Sequence, residues 1–180
     1  MGNERKEPGT YSLSVVYRYC AVFHHNLREH IPENVDGELT RYNVVLLKPE
    51  GDPEEVFNRF FERDVKEYNA RKLSGIRADG SAGEPDRKAV IDNYYRKIRS
   101  SRNGVNPFVE MVVQVGNRED NPSLDRESEI FRASQKIYQS YFAFFKAHYP
   151  ALHLVCAVIH NDEPTGTPHM HLDFIPACKR

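Results

Sequence analysis

Residues 160–176 read HNDEPTGTPHMHLDFIP, and the fold is decided by how this stretch alternates. From residue 169 onward the side chains change character at every step, His169 and His171 against Met170, Leu172 and Phe174. A period of two belongs to a strand, with the histidines on one face and the apolar side chains turned into a core on the other. Upstream, residues 152–159 form a second apolar run, LHLVCAVI, and the turn between the two runs holds Pro164, Gly166 and Pro168. Strands joined this closely pair antiparallel. His160, at the end of the first strand, then reaches the face that bears His169 and His171. Three imidazole nitrogens within one hairpin suit a divalent cation with open positions for water or a phosphate oxygen. Asp162 and Glu163, in the turn, are placed either to ligate such an ion or to orient an imidazole from behind. A His-x-His pair by itself is more often an incidental surface feature. Strict alternation together with His160, Asp162 and Glu163 in one turn makes this one a candidate metal centre.

Working outward, residues 11–23 are rich in Val, Tyr and Phe with Arg18 as the sole charge, and read as a long strand. Residues 24–38 carry Pro32 and Gly37 and read as a loop, followed by a short strand over 42–47. Asp52, Pro53, Glu54 and Glu55 supply a cap, a proline at the first helical position and acids at the positive end of the dipole, so a helix is expected to about residue 68. Residues 73–85, rich in Gly, Ser and Ala, are the most flexible-looking stretch. Pro85 and Asp86 open a helix to about residue 100, 107–115 is a strand, and 125–148 is the longest helix, with Ile130, Ile137, Tyr141, Phe144 and Phe145 on its inward side. The order strand, strand, helix, helix, strand, helix, strand, strand predicts an α+β fold. It is a five-stranded, mostly antiparallel sheet with helices packed on it, the adjacent strands at each end of the chain pairing with one another.

The chain has 180 residues, which favours one domain, with a loose N-terminus over residues 1–10. Twenty-five Lys and Arg against 26 Asp and Glu give a net charge of −1. The molecule as a whole is therefore no cation drawn to nucleic acid, and any such function rests on a local patch. One exists: residues 85–103 carry Arg87, Lys88, Arg96, Lys97, Arg99 and Arg102 against Asp86 and Asp92, a net +4, either a solvated helix face or a surface that tracks phosphates. No apolar run approaches the ~20 residues that cross a bilayer, and the start MGNERKEPGTYS is polar, so a cytoplasmic protein without membrane contact is expected. Cys20, Cys156 and Cys178 are odd in number and widely spaced, which encodes no disulfide framework and leaves buried free thiols as the expectation.

A second histidine cluster, His24, His25, Asn26 and Arg28, ends the first strand. An imidazole beside a metal-bound phosphate can serve as nucleophile, general base or further ligand. The Arg28 guanidinium is a fork that matches phosphate oxygens and the charge of a pentavalent transition state.

Together these segments resemble a known family. His25-Asn26-Leu27-Arg28 looks like the HNxR element, and His160-Asn161-Asp162-Glu163 with Thr167-Pro168-His169-Met170-His171 looks like the HxDE and TPHMH elements, of the Mob/Pre plasmid mobilisation relaxases, also called plasmid recombination enzymes. These belong to the HUH endonucleases, named for a His-hydrophobe-His triplet. The resemblance implies the HUH relaxase fold over residues 11–180, as a catalytic domain whose natural chain continues past residue 180 into further DNA-contacting and dimerising segments. It implies an enzyme that nicks one strand at a plasmid origin of transfer, stays joined to the 5′ phosphate and later reseals the strand.

By matching position it makes His25 the nucleophile and Arg28 its phosphate partner. His160, His169 and His171 become the ligands of Mn²⁺ or Mg²⁺, with Zn²⁺ also admissible, and Glu163 and Glu110 are acids beside them. The implied partner is single-stranded or hairpin origin DNA, held by Asn26, Asn43, Arg87, Lys88, Arg96, Lys97 and Arg99. Many HUH enzymes use tyrosine, so Tyr94 and Tyr95 are the alternative nucleophiles. Two further readings compete: a related HUH protein for replication initiation or transposition, told apart by the DNA it cuts, and a non-catalytic DNA-binding module in which the histidines hold a structural zinc.

Overall fold

The computed structural model describes residues 12–18, 23–77, 79–103 and 105–177. Five strands form one antiparallel sheet: β1 (Leu13–Arg18), β2 (Val44–Leu47), β3 (Val109–Val115), β4 (His153–His160) and β5 (His169–Ile175), in the order β1-β3-β5-β4-β2. The expected hairpin is present, with His160 opposite His169 and Val158 opposite His171. The expected pairing of the two N-terminal strands is not. β1 pairs with β3 at one edge and β2 with β4 at the other. The physical consequence is large, because the chain between them must cross the whole sheet. On its way it makes a single helical turn, α1 (Phe23–Asn26), and a 3-10 turn, Gly37–Tyr42. The strand expected to run to residue 23 therefore gives way to α1, with residues 19–22 and Cys20 outside the described residues.

The alternation read from residues 169–175 is realised. Met170, Leu172 and Phe174 join Met111, Val113 and Val115 of β3 and Ala157 and Ile159 of β4 in the core. That core is closed by α5 (Glu129–His148), which packs on β3 and β4. Its buried residues are Ile130, Phe131, Ser134, Tyr138 and Phe145, whereas Ile137 and Phe144, expected inward, are 40% and 47% exposed. Ser134 and Tyr138 form the contact stripe because a small side chain lets the helix approach, and the Tyr138 hydroxyl finds partners: it donates to Pro168 O at 2.5 Å and accepts from Val115 N at 3.0 Å. Apolarity alone misplaces both residues.

The described residues fall into two units, the sheet unit within Met1–Lys48 and Phe108–Arg180, and a helical unit, Pro49–Pro107. The helical unit contains α2 (Pro53–Phe60), capped by Asp52, and α3 (Glu62–Ser74), which ends on the left-handed Gly75. There a Cβ would meet Gly83 O at 2.4 Å, so only glycine fits. The single helix expected over residues 85–100 is two pieces, a 3-10 turn Arg87–Ala89 and α4 (Tyr94–Arg99). Asn69 interrupts it by hydrogen-bonding both backbone groups of Ile91, and Asn93 then caps a fresh start.

Candidate active site

On the face of the sheet opposite α5, the register brings His160, His169 and His171 together. Their ring centroids are 4.6 to 5.4 Å apart, and one ring nitrogen from each lies within 4.8 Å of the others. In each ring the other nitrogen is engaged by an acceptor. His160 Nε2 donates to Asn26 O at 2.8 Å, His169 Nδ1 to Thr167 O at 2.9 Å, and His171 Nδ1 to Glu110 Oε1 at 2.9 Å. Carbonyl and carboxylate oxygens only accept, so each contact fixes the proton on the engaged nitrogen and leaves a lone pair on the free one. Two of those free nitrogens, His160 Nδ1 and His171 Nε2, are buried without a hydrogen-bond partner among the described residues. Burial without a partner is costly for a ring nitrogen, and a cation would resolve it. Burial, and then mutual charge repulsion for His160, hold both rings below the usual histidine pKa. Those two rings are therefore kept neutral, as metal ligation requires, and the donor set of the three residues fits a divalent cation.

The crossing segment lays a fourth imidazole on this face. The His25 ring centroid is 6.0 Å from that of His160 and 6.1 Å from that of His171. Burial, then the neighbouring Arg28 charge, lower its pKa. Arg28 Nη1 donates to His25 Nε2 at 3.3 Å. Arg28 itself has φ 55°, the sole positive φ outside glycine among the described residues. Such a backbone costs about 1–3 kcal/mol and persists where the surroundings enforce it. Here Nε and Nη2 form a fork onto Asp162, at 2.9 and 2.8 Å, and Nη2 also reaches Glu163 Oε1 at 3.2 Å.

Asp162 is thus a holder of Arg28, neither a metal ligand nor an orienter of an imidazole. It accepts further from Thr40 Oγ1 at 3.2 Å and Asn43 Nδ2 at 2.6 Å. Burial works to raise its pKa, but the hydrogen bonds from Arg28 and Asn43 outweigh it and hold the carboxyl low. Glu163 stands 3.8 Å from His169 Nε2. Gly166 makes room for it, since a Cβ there would meet Glu163 Cβ at 2.9 Å.

Two residues expected at DNA are engaged inside the protein. Asn26 is fully buried and donates its amide hydrogens to Glu110 and Asp173. Asn43 donates to Asp162 and accepts from Asn161 N at 2.7 Å. Both position other groups from there. Asp173 went unremarked in the sequence, although the alternation of His169 and His171 continues to it; burial, then the Glu110 charge, push its carboxyl up to about 8. Of the residues in the helical unit, Arg87, Lys88, Arg96, Lys97 and Arg99 are exposed. Arg96 pairs with Glu54, and Lys97 and Arg99 lie over the rings of Tyr68 and Tyr95. The Tyr94 ring packs on Phe57 and Phe61, and the Tyr95 ring on Phe57. No described helix is long and apolar enough to cross a membrane.

An antiparallel sheet whose central strand presents a His-hydrophobe-His triplet beside a third histidine defines a protein of the HUH class. The sequence pattern of the plasmid recombination enzyme family (Mob_Pre) matches residues 81–180, and the chain belongs to that family. It is also similar to two solved structures of the MobM relaxase domain bound to a 22-nucleotide oriT DNA of plasmid pMV158 with Mn, at pH 5.5 and pH 4.6. Identity is 17% and 16%, the TM-score is 0.47 for both, and each match covers 91% of this chain and 70% of the other. No curated protein matches the chain.

Proposed function

We propose that residues 11–180 are a relaxase catalytic domain that nicks and rejoins one DNA strand at a plasmid origin of transfer. The observation that carries the reading is the fourth imidazole, His25, its ring centroid 6.0 Å and 6.1 Å from those of His160 and His171 and its pKa lowered by burial and by Arg28, beside a histidine trio that fits a cation. In the nicking step a His25 ring nitrogen attacks the scissile phosphorus. An N–P bond forms and the P–O3′ bond breaks; the 3′ oxygen departs, takes a proton from solvent and becomes the free 3′ hydroxyl. The 5′ phosphate stays on His25, and the reverse attack by a 3′ hydroxyl reseals the strand.

Each neighbour has a task. The Nε and Nη2 edge of Arg28 is fixed by Asp162, so its remaining nitrogen, Nη1, faces His25 and the charge that builds on the phosphate. Glu163 steadies Arg28 beside His169, and Glu110 fixes the His171 ring. A divalent cation on His160, His169 and His171, Mn²⁺ or Mg²⁺, supplies positive charge to the phosphate oxygens when bound. The exposed Arg87, Lys88, Arg96, Lys97 and Arg99 track the backbone of single-stranded or hairpin DNA, a contribution that weakens as salt rises. His25 takes the nucleophile's part over Tyr94 and Tyr95 because it stands in the unit that carries the trio.

The test is a denaturing gel for covalent adduct on single-stranded oligonucleotides spanning the origin, with Mn²⁺. Wild type, Tyr94→Phe and Tyr95→Phe should form the adduct and His25→Ala should not. An adduct that survives in His25→Ala, or one lost in either tyrosine variant, overturns the assignment. Chelation should leave a folded, inactive domain; unfolding on chelation would favour a structural ion.

A further inference from the structure

The sheet sets two acids directly against each other on the site face. Glu110 of β3 and Asp173 of β5 are register partners, and they are 4% and 0% exposed. Were both ionised they would repel, and burial removes the water that would screen them. Between them stands the Asn26 side chain, whose Nδ2 donates to Glu110 Oε1 at 2.9 Å and to Asp173 Oδ2 at 2.8 Å. Both amide hydrogens are used on the acid pair. The backbone oxygen of the same residue accepts from His160 Nε2, and Glu110 Oε1 accepts from His171 Nδ1. Asn26 is therefore the point at which the crossing segment is fastened to the imidazole trio, one residue from His25 and two from Arg28. Glu110 has a second duty in orienting His171. Among the described residues the side-chain hydrogen-bond partner of Asp173 is Asn26, on Oδ2, while Oδ1 is buried without one.

We propose that Asp173 is a positioning residue for the nucleophile: through Asn26 it fixes the turn that carries His25 and Arg28 against the face of the imidazole trio. This rests on the reading of His25 as nucleophile. The carboxyl acts as a hydrogen-bond acceptor, so an amide oxygen in the same place should serve nearly as well, whereas its removal leaves a buried N–H of Asn26 without a partner and frees the turn.

The experiment uses the full chain as wild type, Asp173→Ala, Asp173→Asn and Asn26→Ala, with two readouts. Amide hydrogen exchange is measured without metal or DNA. Asp173→Ala and Asn26→Ala should speed exchange over residues 23–29 by about tenfold, with β3, β4 and β5 unchanged, and Asp173→Asn should stay near wild type. Single-turnover adduct formation with Mn²⁺ should fall about 100-fold in Asp173→Ala at saturating DNA, with DNA affinity within about twofold, and Asp173→Asn should restore most of the rate. Wild-type exchange over residues 23–29 in Asp173→Ala overturns the proposal, as does acceleration spread evenly over the sheet, which would mark a merely structural acid. An Asp173→Asn variant as impaired as Asp173→Ala also overturns it. If Asp173→Ala does not fold, Asn26→Ala decides, and a turn as protected as wild type in that variant rejects the idea. If wild type forms no adduct, the nucleophile reading fails by itself, and the exchange arm still decides whether Asp173 holds the turn.

Discussion

The hairpin of β4 and β5 and the turn at α1 contribute imidazoles to one site by opposite means. In the hairpin, position follows from backbone geometry: a period of two and a short turn set His160, His169 and His171 on one face whatever else the molecule does. At α1 the backbone dictates little. A single helical turn and a strained Arg28 are held by side chains 84 to 147 residues away in sequence, namely Glu110, Asp162 and Asp173. The hairpin is a scaffold that needs few fastenings; the turn is made almost wholly of fastenings. Substitutions should therefore separate metal binding from chemistry along this line.

The sharpest separation is His25→Ala against His171→Ala. The first should cut adduct formation on the order of 10⁴-fold or more while leaving Mn²⁺ affinity within about threefold, as measured by metal titration. The second should abolish Mn²⁺ binding. If both variants lose metal binding alike, the distinction between scaffold and fastened turn collapses.

Next comes the turn's main fastening. Arg28 and Asp162 have side chains 1% and 0% exposed, so Asp162→Ala strands a buried guanidinium and should cost about 3–5 kcal/mol in urea unfolding. The pH dependence has a definite sign. The folded-state pKa of Asp162 is held below its ordinary value, so the stability it contributes is present above about pH 4 and lost as the pH falls through the folded pKa. The difference between wild type and Asp162→Asn should accordingly shrink on acidification. A difference that grows would show that the fork is no net stabiliser.

The same contrast explains what could be read in advance. The trio, its face, the hairpin and the core side of β5 were legible because they depend on local periodicity. The edge-to-edge placement of β1 and β2 was not, because adjacency in sequence favours pairing and only the fit of β1 to β3 and of β2 to β4 overrides it. Asn26 and Asn43 carried a motif's signature but not their hydrogen bonds within the protein, and side chains of that type serve ligands and backbones alike. Asp162 looked like a metal acid because it sits two residues from His160. Its actual partner, Arg28, lies 134 residues away. In α5, Ile137 and Phe144 outranked Ser134 and Tyr138 on apolarity, while the packing turned on size and on a hydroxyl with two partners.

On the hairpin side that hydroxyl provides the third test. Tyr138→Phe removes the bond to Pro168 O, one residue before His169, and strips Val115 N of its side-chain acceptor. It should cost about 1–3 kcal/mol in urea unfolding. Because the strand register holds His169 independently, Mn²⁺ affinity should change less than it does in His171→Ala. A loss of metal as complete as in His171→Ala would mean that the hairpin too depends on remote fastening.

The smallest effect belongs to His24, and it tests the phase of the turn. His24 and His25 are adjacent and chemically identical, yet α1 turns one outward and the other onto the trio. The His24 side chain is 58% exposed and pairs with Glu29, a surface pair between two exposed groups. His24→Ala should leave adduct formation within about twofold of wild type and stability within about 0.5 kcal/mol. A helical turn and a strand both separate neighbouring side chains, so this variant alone does not tell them apart; His24→Ala paired with Asn26→Ala does. In a strand, residues 24 and 26 would share a face and respond alike. In the turn described here His24 faces solvent and Asn26 the sheet, so only Asn26→Ala should slow the adduct.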